Sequence, residues 1–290
     1  MDKLAIGLAR NKKVRIYAVV STDLVEEARV KHNMWPTSTA ALGRVMNVAL
    51  MMAAMQKNKD EKLYIQIKGS GPINNIMVEA KSDGSVRGYL NDPHVMLTYN
   101  KNKKLAVGAA IGEGHLKVVK SMNLKTDFTG TVELVSGEIG DDFAYYFMVS
   151  EQTPSAVSVG VLVDTDNSVI SSGGIIIQIM PDASEEDIVA CEKVVENLKP
   201  VSQLVQEKKS AAKIIEDLFD DSQVLLKKEV FFKCNCSRER MLDGISTLTK
   251  AEINEMIEEK EDIETVCNFC NEKYKFTIND LKELINEKKA

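Results

Sequence analysis

The chain has 290 residues, 44% of them hydrophobic and 28% charged, enough for one large domain with a sizeable core plus a smaller one. Its net charge of −6 is uneven: residues 1–180 carry 20 basic and 18 acidic side chains, and residues 181–290 carry 17 and 25. The acidic second part weighs against affinity built on neutralising phosphates, and so against a nucleic-acid partner.

The first ten residues include Lys3 but no apolar run of signal-peptide length. The most apolar stretch, 39–55, is interrupted by Arg44 and Asn47 and falls short of the roughly 20 residues of a membrane span. It reads as a buried helix, and no membrane partner is expected. The clearest helix spans 36–57, with Pro36 near its start and Thr37 or Ser38 as its cap. Apolar residues surround its axis almost completely, so it is expected to be central. Met46, Met51, Met52 and Met55 read as core filler. Residues 62–68 alternate, with Leu63, Ile65 and Ile67 on one face. Segments 76–80 and 86–90 flank Asp83-Gly84, a hairpin signal. Further strands are expected at 104–107, 116–119, 130–135, 157–163 and 175–180. The carboxylates within 136–142 read as a polar turn leading into a helix at 143–147, because no nucleophile and base lie beside them.

The pattern changes at Pro181. Residues 182–232 lack strand alternation and read as helices joined by breaks. Ser184 caps one, with Ile188, Cys191, Val194, Val195 and Leu198 on a stripe that Pro200 ends. A second covers 202–219, with Leu204, Val205, Ile214, Ile215, Leu218 and Phe219. Apart from the stripe these helices are strongly charged, so each needs a partner surface and is marginal without one. Further on, Thr249-Lys250-Ala251-Glu252 is a capping box opening a helix with Ile253, Met256 and Ile257 on one face. A strand at 274–276 and a helix from Asn279 follow. The expectation is an α+β protein: a strand-rich domain with a central buried helix over 1–180, a helical linker over 181–232 and a small C-terminal domain over 233–290.

Four of the five cysteines fall in that last part, as Cys234-x-Cys236 and Cys267-x-x-Cys270 with 30 residues between the pairs. Two close pairs at such a separation supply the four soft ligands of a tetrahedral zinc site. Cys234, Cys236, Cys267 and Cys270 are therefore expected to bind one zinc per chain. A small module with few large apolar side chains would draw much of its folding free energy from the metal. The one-residue gap of C-x-C also lets its two thiols meet if the metal leaves. The fifth cysteine, Cys191, lies on a helical apolar pattern and reads as core. Cysteines gathered in one cluster, not spread through the fold, point to a reducing, cytoplasmic compartment. No phosphate-binding G-x-x-x-x-G-K-[ST] occurs, and His32, His94 and His115 are isolated; nothing requires an enzyme. Two other readings stay open on the residues alone. One is an adaptor with a permanent structural zinc, against which the C-x-C pair and the acidic tail count. The other is an oxidoreductase using Cys267 and Cys270, which lacks the strand-then-helix context of such motifs.

The run Phe232-Lys233-Cys234-Asn235-Cys236-Ser237-Arg238-Glu239-Arg240, followed by Cys267-Asn268-Phe269-Cys270, closely resembles the redox-switch domain of the 33 kDa heat-shock chaperones. The likeness extends upstream. It takes in Gly71-Pro72-Ile73, Val86-Arg87-Gly88-Tyr89, Ser136-Gly137-Glu138-Ile139 and Ser150-Glu151-Gln152-Thr153-Pro154-Ser155-Ala156, and covers essentially the whole chain. Gly140-Asp141-Asp142 departs slightly from the family's wording there. The resemblance implies a redox-regulated, ATP-independent holdase that binds unfolding proteins under oxidative stress and is a homodimer when active. It also implies that the four cysteines hold zinc when reduced and pair as 234 with 236 and 267 with 270 when oxidised.

This layout explains how local pairing could unfold a domain. A cross-link spanning the 30 residues between the pairs is worth roughly 3–4 kcal/mol of loop entropy, to which metal–thiolate bonds add. Disulfides within each pair close only tiny rings. Oxidation would replace one long constraint with two local ones, so that the module loses its support and the linker helices a surface to pack on. Their apolar stripes would then meet other proteins.

Overall fold

The structure, a computed structural model, describes residues 2–287 apart from 57, 59, 60, 100–103, 122–126 and 208. The chain divides into two compact units, Met1–Lys233 and Cys234–Ala290. The first opens with β1 (Lys3–Ala9), β2 (Val14–Val20), α1 (Thr22–His32) and α2 (Pro36–Ala53). It continues with β3 (Lys62–Gly69), β4 (Asn75–Lys81), β5 (Ser85–Leu90), α3 (Val107–Ile111), β6 (Gly114–Ser121) and β7 (Phe128–Glu133). Next come α4 (Gly140–Val149), β8 (Ser155–Val163) and β9 (Val169–Ile179). The unit ends with α5 (Glu185–Glu196), α6 (Val201–Gln206), α7 (Ala211–Glu216), β10 (Gln223–Glu229) and β11 (Phe231–Phe232). One sheet runs β10-β1-β2-β9-β8 and the other β11-β5-β4-β3-β6-β7. The architecture is α+β, as the sequence led us to expect.

The central helix α2 lies between the sheets, against β8 and β9 on one side and β4 and β5 on the other. Every residue of it except Pro36 and Arg44 is buried. Gly43 permits the close approach: a Cβ there would sit 2.8 Å from Val25 and 2.9 Å from Val161. The polar interruptions of the apolar run find partners. Asn47 donates to Ser172 Oγ at 3.0 Å and to the Gly173 carbonyl at 3.1 Å, and Arg44 donates to the Glu138 carboxylate at 2.6 Å. The β4–β5 hairpin turns at Gly84, whose φ of +95° suits glycine. The helix expected at 143–147 begins earlier, at Gly140, so Asp141 and Asp142 stand in its first turn and, of the carboxylates within 136–142, only Glu138 precedes it; buried Asp142 accepts from the backbone N–H of Val135 at 2.8 Å and of Ile139 at 2.8 Å. Among the described residues no helix is long and apolar enough to cross a membrane.

Several local expectations are corrected. Neither Thr37 nor Ser38 caps α2; Trp35 stands at the cap position without a side-chain bond. The two hydroxyls instead tie down the loop after β5, Thr37 donating to the Leu97 carbonyl at 3.0 Å and Ser38 to that of Asp92 at 2.9 Å. The helix ends at Ala53, and residue 57, its expected end, lies outside the described residues. Residues 104–107 form no strand, only an isolated bridge between Thr98 and Leu105 before the chain turns into α3. The helix expected over 202–219 is two helices, because the Ser210 hydroxyl accepts from the Lys213 N–H and starts α7 afresh. The chain after α7 is strand: β10 pairs with β1 and β11 runs parallel to β5. β10 is an edge strand with no buried residue, so it lacks the alternation that marks a strand in sequence.

The apolar stripes of α5–α7 face the first sheet. Cys191, Val201, Leu204, Ile214 and Ile215 form one buried cluster with Ala5, Val14, Ile16, Ile175 and Ile177. The surface that these helices pack on is thus the sheet of their own unit. Polar contacts clasp the β1–β2 turn: the backbone N–H groups of Arg10 and Asn11 donate to Asp221 at 3.0 and 2.9 Å, and Arg10 Nε donates to Asp187 at 2.9 Å.

Candidate metal centre

The second unit consists of α8 (Arg238–Ser246), α9 (Lys250–Glu258), β12 (Ile263–Val266), β13 (Lys273–Phe276) and α10 (Ile278–Glu287). Its core is small: Ile245, Ile253, Phe276, Leu281, Leu284 and Ile285. The expected capping box is present, with Thr249 and Glu252 bonded reciprocally.

The residues around each cysteine pair explain its placement. After Cys236, Ser237 caps α8 by accepting from the Arg240 N–H, and Arg240 reaches back to the Asn235 carbonyl at 2.6 Å. The C-x-C loop is thereby pinned at its middle residue. Arg238 donates to Asp280 at 2.8 Å and lies over the Phe276 ring at 4.8 Å, joining the start of α8 to the small core. Asp280 in turn accepts from the Thr277 N–H at 2.7 Å, and the Arg238 guanidinium with these bonds holds its carboxyl down to about 2. The second pair sits in the turn between β12 and β13. There the Cys267 N–H donates to the Glu272 carbonyl at 2.9 Å and the Asn271 N–H to the Cys267 carbonyl at 2.8 Å.

All four cysteines meet: their Sγ atoms lie within 4.8 Å of one another. Two of the contacts join the two motifs, Cys234 to Cys267 at 3.7 Å and Cys236 to Cys270 at 3.3 Å. A tetrahedral zinc with Zn–S bonds of about 2.3 Å sets its sulfurs about 3.8 Å apart, whereas a disulfide needs about 2.05 Å. Four soft donors at these separations fit a thiolate-bound metal such as zinc. Cys267 is buried and the other three are half-buried. Burial pushes the thiols of Cys267 and Cys270 up from the ordinary thiol range, so a cation is what would bring them to thiolate near neutral pH. Cys191 is not one of these four and is buried in the cluster that α5–α7 form with the first sheet. The supporting residues Arg240 and Tyr274, whose hydroxyl lies 3.2 Å from Cys236 Sγ, were not singled out in sequence, because a side chain's bond to a carbonyl or a sulfur leaves no periodic signal.

The model of the Hsp33 protein family matches residues 2–277 of this chain. The chain belongs to the Hsp33 family. It is 46% identical to the 33 kDa chaperonin of Bacillus velezensis, over 99% of this chain and 99% of that protein. It is 46% identical to the 33 kDa chaperonin of Bacillus subtilis over 98% of each. Its fold is similar to the crystal structure of the 33 kDa chaperonin (heat shock protein 33 homolog) from Thermotoga maritima. That match has a TM-score of 0.92 at 38% identity, over 99% of this chain and 98% of the other. The resemblance read from residues 232–240 and 267–270 is borne out, and with it membership of a chaperone family.

Proposed function

We propose that this protein is a redox-regulated, ATP-independent holdase that binds unfolding proteins under oxidative stress in the cytoplasm, acting as a homodimer. The observation that carries the reading is the pairing of sulfurs across motifs, Cys234 with Cys267 and Cys236 with Cys270. Zinc bound by Cys234, Cys236, Cys267 and Cys270 would keep the sulfurs as thiolates and tie two distant segments together. An oxidant such as peroxide takes two electrons from each pair. The pair forms one S–S bond, the peroxide O–O bond breaks, and two waters result with protons drawn from solvent. Disulfides 234–236 and 267–270 use all four sulfurs and leave no tie between the motifs.

The consequence for the linker follows from where it is docked. β11 ends one residue before Lys233, and Cys234 comes next. Disorder beginning at Cys234 therefore adjoins the edge strand that closes the linker region. Release of α5–α7 would uncover Val201, Leu204, Ile214 and Ile215 together with Ile16, Ile175 and Ile177 on the sheet, an apolar surface suited to unfolded chains. The deciding experiment is an aggregation assay on a denatured client. Peroxide-treated protein should suppress aggregation without ATP, and reduced, zinc-loaded protein should not. Equal suppression by both forms would sink the switch, and insulin reduction by the reduced form would favour the oxidoreductase reading.

A further inference from the structure

The four sulfurs are not held alike. Cys267 and Cys270 receive backbone hydrogen bonds, from Phe269 and Glu272 respectively, and any residue but proline at those positions supplies such a donor. Cys236 receives one from a side chain 38 residues away: the Tyr274 hydroxyl donates to its Sγ at 3.2 Å. Tyr274 stands in β13 opposite Thr265, and its side chain packs against the small core that contains Phe276 and Leu281. Packing therefore fixes the ring, and the ring aims the hydroxyl. A phenol can donate or accept, but a thiolate only accepts, so the direction of this bond is settled once the sulfur is a thiolate.

A donor aimed at a metal-bound thiolate has two effects. It draws off charge where four thiolates crowd together, which strengthens the site, and it lowers the nucleophilicity of that sulfur. We propose that Tyr274 is a positioning residue of the redox switch, whose hydroxyl restrains Cys236 and sets how readily the Cys234–Cys236 pair meets oxidant. The inference rests on the zinc reading given above. Its chemical step is one S–S bond formed between Cys234 and Cys236, with two electrons passing to a peroxide that becomes two waters. Only the rate of that step, and the affinity of the site, depend on Tyr274. A purely structural tyrosine would act on all four cysteines alike, whereas a hydrogen-bonding one acts first on Cys236.

The test uses the full chain, reduced and loaded with zinc, as parent and as Tyr274→Phe, which keeps the ring and removes the hydroxyl. Competition with a chromogenic chelator reads affinity, and brief alkylation with iodoacetamide followed by peptide mapping reads each cysteine. The expected result is an affinity about tenfold lower, faster zinc release under peroxide, and early alkylation rising at Cys236 ahead of Cys267 and Cys270. Phe276→Leu serves as the packing control and should raise all sites evenly. A parent that takes up no zinc overturns the metal reading together with this inference. A zinc-loaded parent matched by Tyr274→Phe in affinity and in alkylation overturns this inference alone, as does an even rise at all four cysteines in Tyr274→Phe.

Discussion

The two units of this chain are held together by different means. In the first, α2 is enclosed between two sheets and is buried at all but two of its positions. In the second, the buried core cluster among the described residues comprises six apolar side chains, Ile245, Ile253, Phe276, Leu281, Leu284 and Ile285, beside a cluster of four sulfurs. Each such side chain stabilises by roughly 1.5–3 kcal/mol, little for a unit in which every ordered residue costs roughly 1–2 kcal/mol of chain entropy. A unit with its own hydrocarbon core keeps its fold when one cross-link is lost. A unit that depends on the cross-link does not, which makes it the suitable place for a switch.

The largest effect should come from removing the metal. Chelation of the reduced protein, or Cys267→Ser, should abolish hydrogen-exchange protection over 234–290 and leave β1–β9 protected. Structural zinc of this kind contributes roughly 10–16 kcal/mol, about as much as the six buried side chains together, and those side chains alone do not offset the chain entropy of the unit. Mass-spectrometric hydrogen exchange with and without chelator reads both units in one sample. Protection that persists in α8–α10 after the metal has gone would break the comparison at its root.

A smaller effect, of several kcal/mol, is expected from a charge under the linker. Ile214 is buried in the cluster against the sheet, while Leu218 packs at its margin. Ile214→Asp places a carboxylate in that apolar contact, so it should undock the linker and give partial holdase activity under reducing conditions. Leu218→Asp should do so more weakly. Aggregation assays with zinc content measured in parallel check this. Variants that stay folded, hold zinc and remain inactive until oxidised would confine the switch to the second unit.

The structure sharpens the question of disulfide pairing. In the folded unit sulfurs of different motifs already lie within 3.7 and 3.3 Å of one another. Bridges made there would keep the long-range tie. Short tethers favour 234–236 and 267–270 only once the motifs have separated. Peptide mapping after peroxide and mild heat should find those two local bridges, with cross-bridges in the minority. Mainly cross-bridged product would mean that pairing precedes opening, and local rings would no longer explain activation.

How much of this was legible in the sequence differs between the units as well. The cysteine spacing, the capping box at Thr249 and the likeness at 232–240 pointed to the metal centre before any geometry, because ligand spacing is a local property of the chain. The central helix was legible because its apolar residues encircle the axis. The first hairpin and α1 were not assigned from sequence, and β10 read as part of a helical stretch, since an edge strand without buried residues shows no alternation. The partner of the linker stripes was misplaced for a related reason. A stripe such as Leu204, Val205, Ile214 and Ile215 says that something covers it, but only the fold brings β1, β2 and β9 beneath it.

The smallest effect isolates the fifth cysteine, which matches Cys267 in burial and differs from it in company. Cys191 is 4% exposed and Cys267 5%, yet Cys191 is buried in an apolar cluster of the first unit whereas Cys267 belongs to the four-sulfur cluster. Burial, with Asp187 adding to it, pushes the Cys191 thiol up to about 11, against about 8.5 for a free cysteine. In the window between these values the unfolded chain has released its proton and the folded chain has not. The unfolded state then binds fewer protons, so stability falls as pH rises from about 8.5 to about 11, and below that window Cys191 adds no pH dependence. Cys191→Ala should remove this contribution, which is no steeper than about 1.4 kcal/mol per pH unit for one proton, and leave a constant offset from the lost packing. Urea midpoints of the first unit at pH 7, 8.5 and 10, compared between parent and variant, isolate it from tyrosines titrating in the same range. Zinc content should be that of the parent throughout. An unchanged slope would show that Cys191 is as open to solvent as a free thiol, and loss of zinc in the variant would show that the two kinds of cysteine are not independent after all.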